Sequence, residues 1–393
     1  MMPTKTRVIV IGMADSIHVA RWLDVAIDSR DIAVRFVPTS PHRRIQKGIA
    51  TRLASGTDGS FTMNPFLKWA SLPIWILDRD PMLRGRLRAS FIRQEINRFR
   101  PDFIHVMETQ NGGYPFAIAA DKLRAEGFRL PKAMLTLFGS DLYWFARFPN
   151  HLERIKRVLT NVQILSAECA RDLRHAKEIG FSGSTLPLMP VSGGLADNEI
   201  AHPDTPIDFA HRKTIAIKGY GGIWGQGHLA VEALAGIPEL LQGYTVEIYS
   251  AEQPVVKAAA RLLKPAGINY LLYKKFALSH DQILQLYRRS RIYLGLSKSD
   301  GLPASMLEAM SQGCFPIQSS SACSESWIEP GVTASVIGSL EGNELEVALR
   351  EALDNDQLLL AAQAGNLKTI RDKYSKTALL SSKKIGYAEL ANS

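Results

Sequence analysis

Two series of short, continuously apolar runs, each run followed by a stretch of helical period, constrain this chain more than any other feature. In the first half the runs are Arg7-Val8-Ile9-Val10-Ile11-Gly12, Ala33 to Pro38, Phe103 to Val106, Ala133 to Phe138 and Val162 to Leu165. A strand that is apolar at every position must be covered on both faces, and strands joined through helices pair in parallel. The second series has strands at Thr214-Ile215-Ala216-Ile217-Lys218, Thr245 to Tyr249, Ile268 to Leu272, Ile292 to Leu296 and Cys314 to Ile317. Between them Leu186 to Ile207 carries Pro187, Pro190, Gly193, Gly194 and Pro203 with little periodicity, the composition of a connection. The expected fold class is α/β: two doubly wound Rossmann-like domains over 1–195 and 209–375, a linker over 196–208, and a terminal helix over 376–393. At 393 residues and 46% hydrophobic content the chain supports two cores.

Composition removes several function classes. Cys169, Cys314 and Cys323 are few and widely spaced, so neither a disulfide framework nor a zinc knuckle is indicated and a reducing, cytoplasmic setting is expected. The opening residues run into a strand pattern without a signal peptide's apolar stretch. Nor does any stretch approach the roughly 18 apolar residues of a membrane span. The balance of 47 Lys and Arg against 38 Asp and Glu suits an anionic partner. Arg84, Arg86, Arg88, Arg93, Arg98 and Arg100 crowd one stretch beside the apolar, Trp-containing segment Phe61 to Leu77. Peripheral contact with an anionic membrane on its inner face and a solvated helix face are the two readings of Arg84 to Arg100. Nucleic acid is disfavoured, because no recognition motif accompanies the charge. No His, Cys or carboxylate cluster has metal spacing; Asp78-Arg79-Asp80 and Asp354-Asn355-Asp356 read as a loop and a helix surface, so no metal and no cofactor is expected.

The chemistry concentrates in Asp300-Gly301-Leu302-Pro303-Ala304-Ser305-Met306-Leu307-Glu308. Here a strand ends in a polar loop, Ser297 to Pro303, and a helix opens after it. The unpaired amides and positive dipole of a helix start hold a diphosphate, and Asp300 and Glu308 would flank it. Ser305 and Glu308 also have the spacing of a capping box, which would occupy both in the helix start instead. After the second domain's first strand come Lys218-Gly219-Tyr220-Gly221-Gly222; Gly221 and Gly222 let backbone amides approach a phosphate and Lys218 would neutralise it. A rival signal overlaps it. Gly225-Gln226-Gly227-His228-Leu229-Ala230, with Glu247 about 20 residues on, fits a dinucleotide fingerprint, although the loop from Gly219 is too long for its first glycine to touch the strand end. In the first domain Gly12, His18 and Arg21 follow the first strand, where they would address an acceptor anion, a buried His being the alternative.

The stretch from Leu278 to Gly331 resembles the carboxy-terminal half of the family-4 retaining glycosyltransferases. Its acid–seven–acid motif corresponds to Asp300, where the family usually has Glu, and Glu308; Ser299, Gly301, Leu302, Pro303, Ala304 and Ser305 fill the loop and helix start. Phe138-Gly139-Ser140-Asp141 resembles the family's Gly-x-Asp loop, which makes Gly139, Ser140 and Asp141 site candidates. Ile104-His105-Val106-Met107-Glu108 resembles a His-x-His-Glu stretch; Met107 stands where the second His would be, and His105 and Glu108 remain candidates. The family's usual Gly-Arg pair and later Lys have no full counterpart beyond Lys218-Gly219. The resemblance implies the GT-B fold, two such domains facing across a cleft. It further implies transfer of a sugar with retained configuration from a nucleoside diphosphate donor, a UDP- or GDP-sugar, to a glycan or lipid-linked acceptor. In that assignment Asp300 binds the transferred sugar, Glu308 the ribose, and Lys218 the leaving diphosphate. The implied setting is surface polysaccharide or lipopolysaccharide assembly. The alternatives are a sugar-nucleotide epimerase of the same fold and a non-catalytic, nucleotide-binding peripheral membrane protein.

Overall fold

The computed structural model describes residues 5–26, 32–39, 45–55, 60–78, 80, 83–202, 208–382 and 387–392. Contacts divide the chain into two compact units: Met1–Gly193 with Leu379–Ser393, and Gly194–Ala378. The first holds a seven-stranded sheet in the order β3-β2-β1-β4-β5-β6-β7. Its strands are β1 (Thr6–Gly12), β2 (Ile32–Pro38), β3 (Phe61–Met63), β4 (Phe103–Met107), β5 (Lys132–Thr136), β6 (Ile164–Ser166) and β7 (Ser184–Thr185), all parallel where paired. The apolar run of β1 is divided between two cores. Val8 and Val10 pack with Phe36, Phe103 and Trp22 on one face, Ile9 and Ile11 with Ile104, Val106 and Phe116 on the other. Fully burying one such side chain stabilises by about 1.5–3 kcal/mol, which is why the run must be continuous. The structure also forms β3 in the stretch expected to be an apolar aromatic surface: Phe61 is buried, and the segment pairs with β2. Three residues are too few to show a strand period.

The second unit repeats the plan with six strands in the order β10-β9-β8-β11-β12-β13: β8 (Thr214–Lys218), β9 (Thr245–Ala251), β10 (Asn269–Lys274), β11 (Ser290–Gly295), β12 (Phe315–Ser319) and β13 (Ser335–Ile337). Ile215, Ile217, Ile292 and Leu294 face one core; Ala216 and Tyr293 face another with Met306, Leu307 and Tyr374. Residues 195–202 are packed into this unit. The Leu195 amide donates to Tyr374 O at 3.0 Å and the Ala201 amide to Ser311 O at 2.9 Å. After Ala378 the chain returns to the first unit, where Tyr387 and Leu390 of the helix Tyr387–Asn392 join the core beside β1 and β4. In each sheet the order reverses at one point, between β1 and β4 and between β8 and β11. Ligands of doubly wound sheets bind beyond the carboxyl ends of the strands at such points.

Candidate functional site

At the reversal in the second unit, Lys218 ends β8 and the loop after β11 carries Asp300. Lys218 Nζ donates to Asp300 Oδ2 at 3.3 Å and lies 4.9 Å from the Tyr220 ring. Burial is the largest single influence and opposes the ammonium charge, but the Asp300 carboxylate together with Tyr293 and Tyr220 outweighs it and raises the Lys218 pKa above its ordinary value. Lys218 therefore stays charged at any working pH, and it is shared with Asp300. Asp300 Oδ1 also accepts from the Gly301 amide at 2.9 Å. Pro303 opens the helix Ala304–Ser311 and no side chain caps it, so its first amides face the loop.

The capping box is not made. Ser305 Oγ instead bonds Tyr293 OH at 2.9 Å, and the Glu308 carboxylate turns to His280, whose Nε2 lies 3.1 Å from Oε1. His280 Nδ1 is 3.7 Å from Glu199 Oε1, so one imidazole spans two carboxylates. The reason is burial. Beneath the helix Tyr287 OH donates to Tyr249 OH at 2.7 Å, and this buried tyrosine group also supplies Ser305 with a partner, while Glu308 bonds His280. Glu199 and His280 were missed in the sequence: Glu199 lies in the stretch read as linker, and nothing in the spacing singled out His280. Glu199, His280 and Asp281 bring donor atoms within 4.8 Å of one another, a grouping invisible in chain spacing. Ser299 is fully buried, and its amide donates to Ile223 O at 3.0 Å; Leu302 is buried too.

The glycine loop closes on itself. Gly221 N donates to Glu252 Oε2 at 2.9 Å, and Gly222 has φ 72° with open space at its Cβ position. A Cβ on Gly225 would lie 2.2 Å from Tyr220 Cβ, so that glycine serves the loop's own turn. Glu247, the acid a dinucleotide ribose would need, is closed off: Arg289 donates to both its oxygens at 3.0 and 2.7 Å, and Tyr273 OH at 3.0 Å. The fingerprint reading fails on that bidentate pair.

In the first unit several candidates turn out to be structural. His105 is a core side chain: Nδ1 meets Tyr387 OH at 2.7 Å, Nε2 meets Thr136 Oγ1 at 2.8 Å, and burial lowers its pKa to about 3. Both nitrogens are occupied, so it is withdrawn as a ligand-binding residue. Glu108, at φ 70°, caps the π-helical turn Thr109–Gly113 by accepting from the amides of Gln110, Asn111 and Gly112. Asp141 accepts from the amides of Phe138 and Thr109 and from Thr109 Oγ1. These carboxylates hold loops, and burial raises both pKa values. Gly139 takes φ 78° just before the helix Ser140–Tyr143, where Ser140 is buried. Gly12 packs against Met107 and Val19; the His18 ring stands 6.1 Å from Phe138. Arg21 Nη1 donates to Ser192 O at 3.3 Å.

Half of the basic stretch is engaged internally. Arg88 bonds Asp78 at 2.9 Å, Arg93 pairs with Glu126, and Arg100 lies over Phe128. Arg84, Arg86 and Arg98 are exposed. On the preceding helix, Pro65–Leu77, Phe66, Ile76 and Leu77 are each more than half exposed. Among the described residues no helix is long and apolar enough to cross a membrane.

No family model and no curated protein matches this sequence. Solved structures do. HepE of Anabaena in complex with UDP and glucose aligns at TM-score 0.65 with 13% identity, over 99% of this chain and all of that one. Sucrose-phosphate synthase from Thermosynechococcus elongatus aligns at 0.68 with 12% identity, over 99% and 100%. The lipopolysaccharide outer core galactosyltransferase WaaB, in its apo form, aligns at 0.63 with 13% identity, over 98% and 100%. The two doubly wound units are those of the GT-B fold.

Proposed function

We propose that this protein is a retaining, family-4-like glycosyltransferase that moves a hexose from a nucleoside diphosphate donor, a UDP-sugar, to a glycan or lipid-linked acceptor. One observation carries the reading: Asp300, the Lys218 ammonium, an uncapped helix start and Glu308 all lie at the strand-order reversal of the second unit. A diphosphate set on the helix start gains its amides and dipole, and Lys218, shared with Asp300, stabilises charge on the departing group. Asp300 then addresses the transferred sugar and Glu308 the ribose. Neighbours solved with UDP and with UDP-glucose support the donor class, and WaaB supports a setting in lipopolysaccharide or surface polysaccharide assembly. Exposed Arg84, Arg86 and Arg98 near an apolar helix support peripheral attachment to an anionic membrane.

The test is a screen of UDP-, GDP- and CMP-sugars for nucleotide release, with and without lipid-linked acceptors, and with the product anomer read by NMR. Acceptor-dependent release of UDP with retained configuration is expected. Conversion of the donor sugar without an acceptor would replace the reading by an epimerase, and absence of both release and UDP binding would end it.

A further inference from the structure

The first unit contains a half-buried cation, Arg154, that no carboxylate explains, near Arg84 and near Arg88, which Asp78 holds. Arg154, on the helix Pro149–Leu159, is half-buried, and its guanidinium carbon lies 3.8 Å from the centroid of the Tyr114 ring. Tyr114 is itself fixed, 4% exposed, with its hydroxyl 2.8 Å from His151 Nδ1. Among the described residues Arg154 has no ion pair, whereas its helix neighbours Lys156 and Arg157 pair with Glu153 and Asp121. Burial, with the charges of Arg88 and Arg84 nearby, lowers the Arg154 pKa. A guanidinium taken partly out of water with no carboxylate of its own, and with Arg84 adding like charge while Asp78 offsets Arg88, favours an anion that completes the group.

The placement fits a ligand. Tyr114 begins the helix that follows β4, and Arg88 donates to Thr39 O just past the end of β2, so the group stands beyond the carboxyl ends of the strands. The helices Arg86–Phe99, Tyr114–Ala125 and Pro149–Leu159 all begin on this side, and their dipoles add positive potential. Arg84 holds φ 39°, a conformation uncommon in non-glycine residues. With one face stacked on Tyr114, Arg154 keeps its in-plane N–H fork for two oxygens of one ligand. We propose that Arg154, stacked on Tyr114 and joined by Arg84 and Arg88, binds a phosphate monoester carried by the acceptor substrate. This rests on the transferase reading only for the word acceptor; the phosphate site stands on its own residues.

The experiment titrates full-length protein with glucose 6-phosphate by calorimetry, and with phosphatidylcholine vesicles with or without phosphatidic acid by co-sedimentation. Wild type is expected to bind one of the two phosphate probes. Arg154→Gln should weaken that binding by about tenfold to a hundredfold, the loss of a charge-assisted contact, and Arg154→Lys by less, while UDP binding is unchanged. Arg84→Gln, on an exposed side chain, should weaken glucose 6-phosphate binding too; Arg154→Lys, which keeps the charge, answers the question for vesicles if Arg154→Gln does not fold. Dependence seen only with glucose 6-phosphate assigns a soluble acceptor; dependence seen only with phosphatidic acid assigns a lipid phosphate. No binding of either probe by wild type, or binding unaffected by these substitutions, overturns the site. Phosphate binding without any UDP binding keeps the site and removes the transferase reading.

Discussion

At the scale of single residues, the decisive contrast is between Glu308 and Glu108, two buried carboxylates that the sequence ranked as site candidates. Glu108 is consumed by three backbone amides, whereas Glu308 meets an imidazole and lies in the first turns of an uncapped helix. Asp300→Asn and Glu308→Gln are therefore each expected to lower turnover by at least about tenfold, roughly 1.4 kcal/mol of transition-state stabilisation, with little change in melting temperature for Glu308→Gln and a lower one for Asp300→Asn, which leaves the Lys218 ammonium unpaired. Steady-state kinetics beside thermal melts checks this; full activity in either variant would remove the acid from the site. On the proposed assignment, His280, 3.1 Å from Glu308, acts through it. Replacing it with Ala should raise the donor KM by about tenfold and kcat should fall less, while His280→Gln, which keeps an N–H near Glu308, should recover most of the loss. An unchanged KM in His280→Ala would make the histidine a bystander.

Elements explain why the same residue types behave differently. Ser305 and Glu308 have the spacing of a capping box, but the helix begins at Ala304, so Ser305 lies inside its first turn and not at the cap. Here the helix Ala304–Ser311 lies on a buried tyrosine group, and Tyr293 draws the serine hydroxyl away. The basic helix Arg86–Phe99 is half satisfied within its own unit, so a surface role belongs to the remaining arginines and to the apolar helix before it. Arg86→Gln combined with Arg98→Gln and Ile76→Ser should reduce co-sedimentation with anionic vesicles, more at low salt than at high, and leave UDP binding unchanged. Equal sedimentation of parent and variant would return these side chains to an ordinary solvated surface.

For the whole molecule, the return of the chain after Ala378 sets the stability of the first unit. Tyr387 is fully buried among Trp22, Phe103 and His105, although it is far from all three in sequence. Tyr387→Ala is expected to cost about 3–5 kcal/mol, as for other large aromatic truncations, measured by denaturant unfolding of the full chain. His105 adds a pH signature. Its folded pKa is about 3 against an ordinary value of about 6.5, so between these values the unfolded chain takes up a proton that the folded one refuses. Its contribution is whole above pH 6.5 and is lost towards pH 3, by up to about 1.4 kcal/mol per pH unit. Glu108 and Asp141, with raised values, act in the opposite sense. Comparing wild type with His105→Gln cancels their share: the gap between the two stabilities should narrow from pH 7 to pH 5, and a constant gap would mean the histidine charges freely in the fold.

The long apolar runs made the two sheets and most of their strands legible, because a strand covered on both faces reads as a nearly continuous apolar run. That Lys218 ends a strand, Asp300 sits in a loop and Glu308 in the helix after it was legible for a related reason: a strand end, a glycine or proline bend and a helix start are local events. Short edge strands such as β3 were not, since three residues hold no period. The His280 bridge, the engagement of Glu247 by Arg289, the burial of His105 under Tyr387 and the stacking of Arg154 on Tyr114 each join residues separated along the chain. Whether a polar side chain serves a ligand or the fold depends on which partner reaches it first, and only packing in three dimensions decides that.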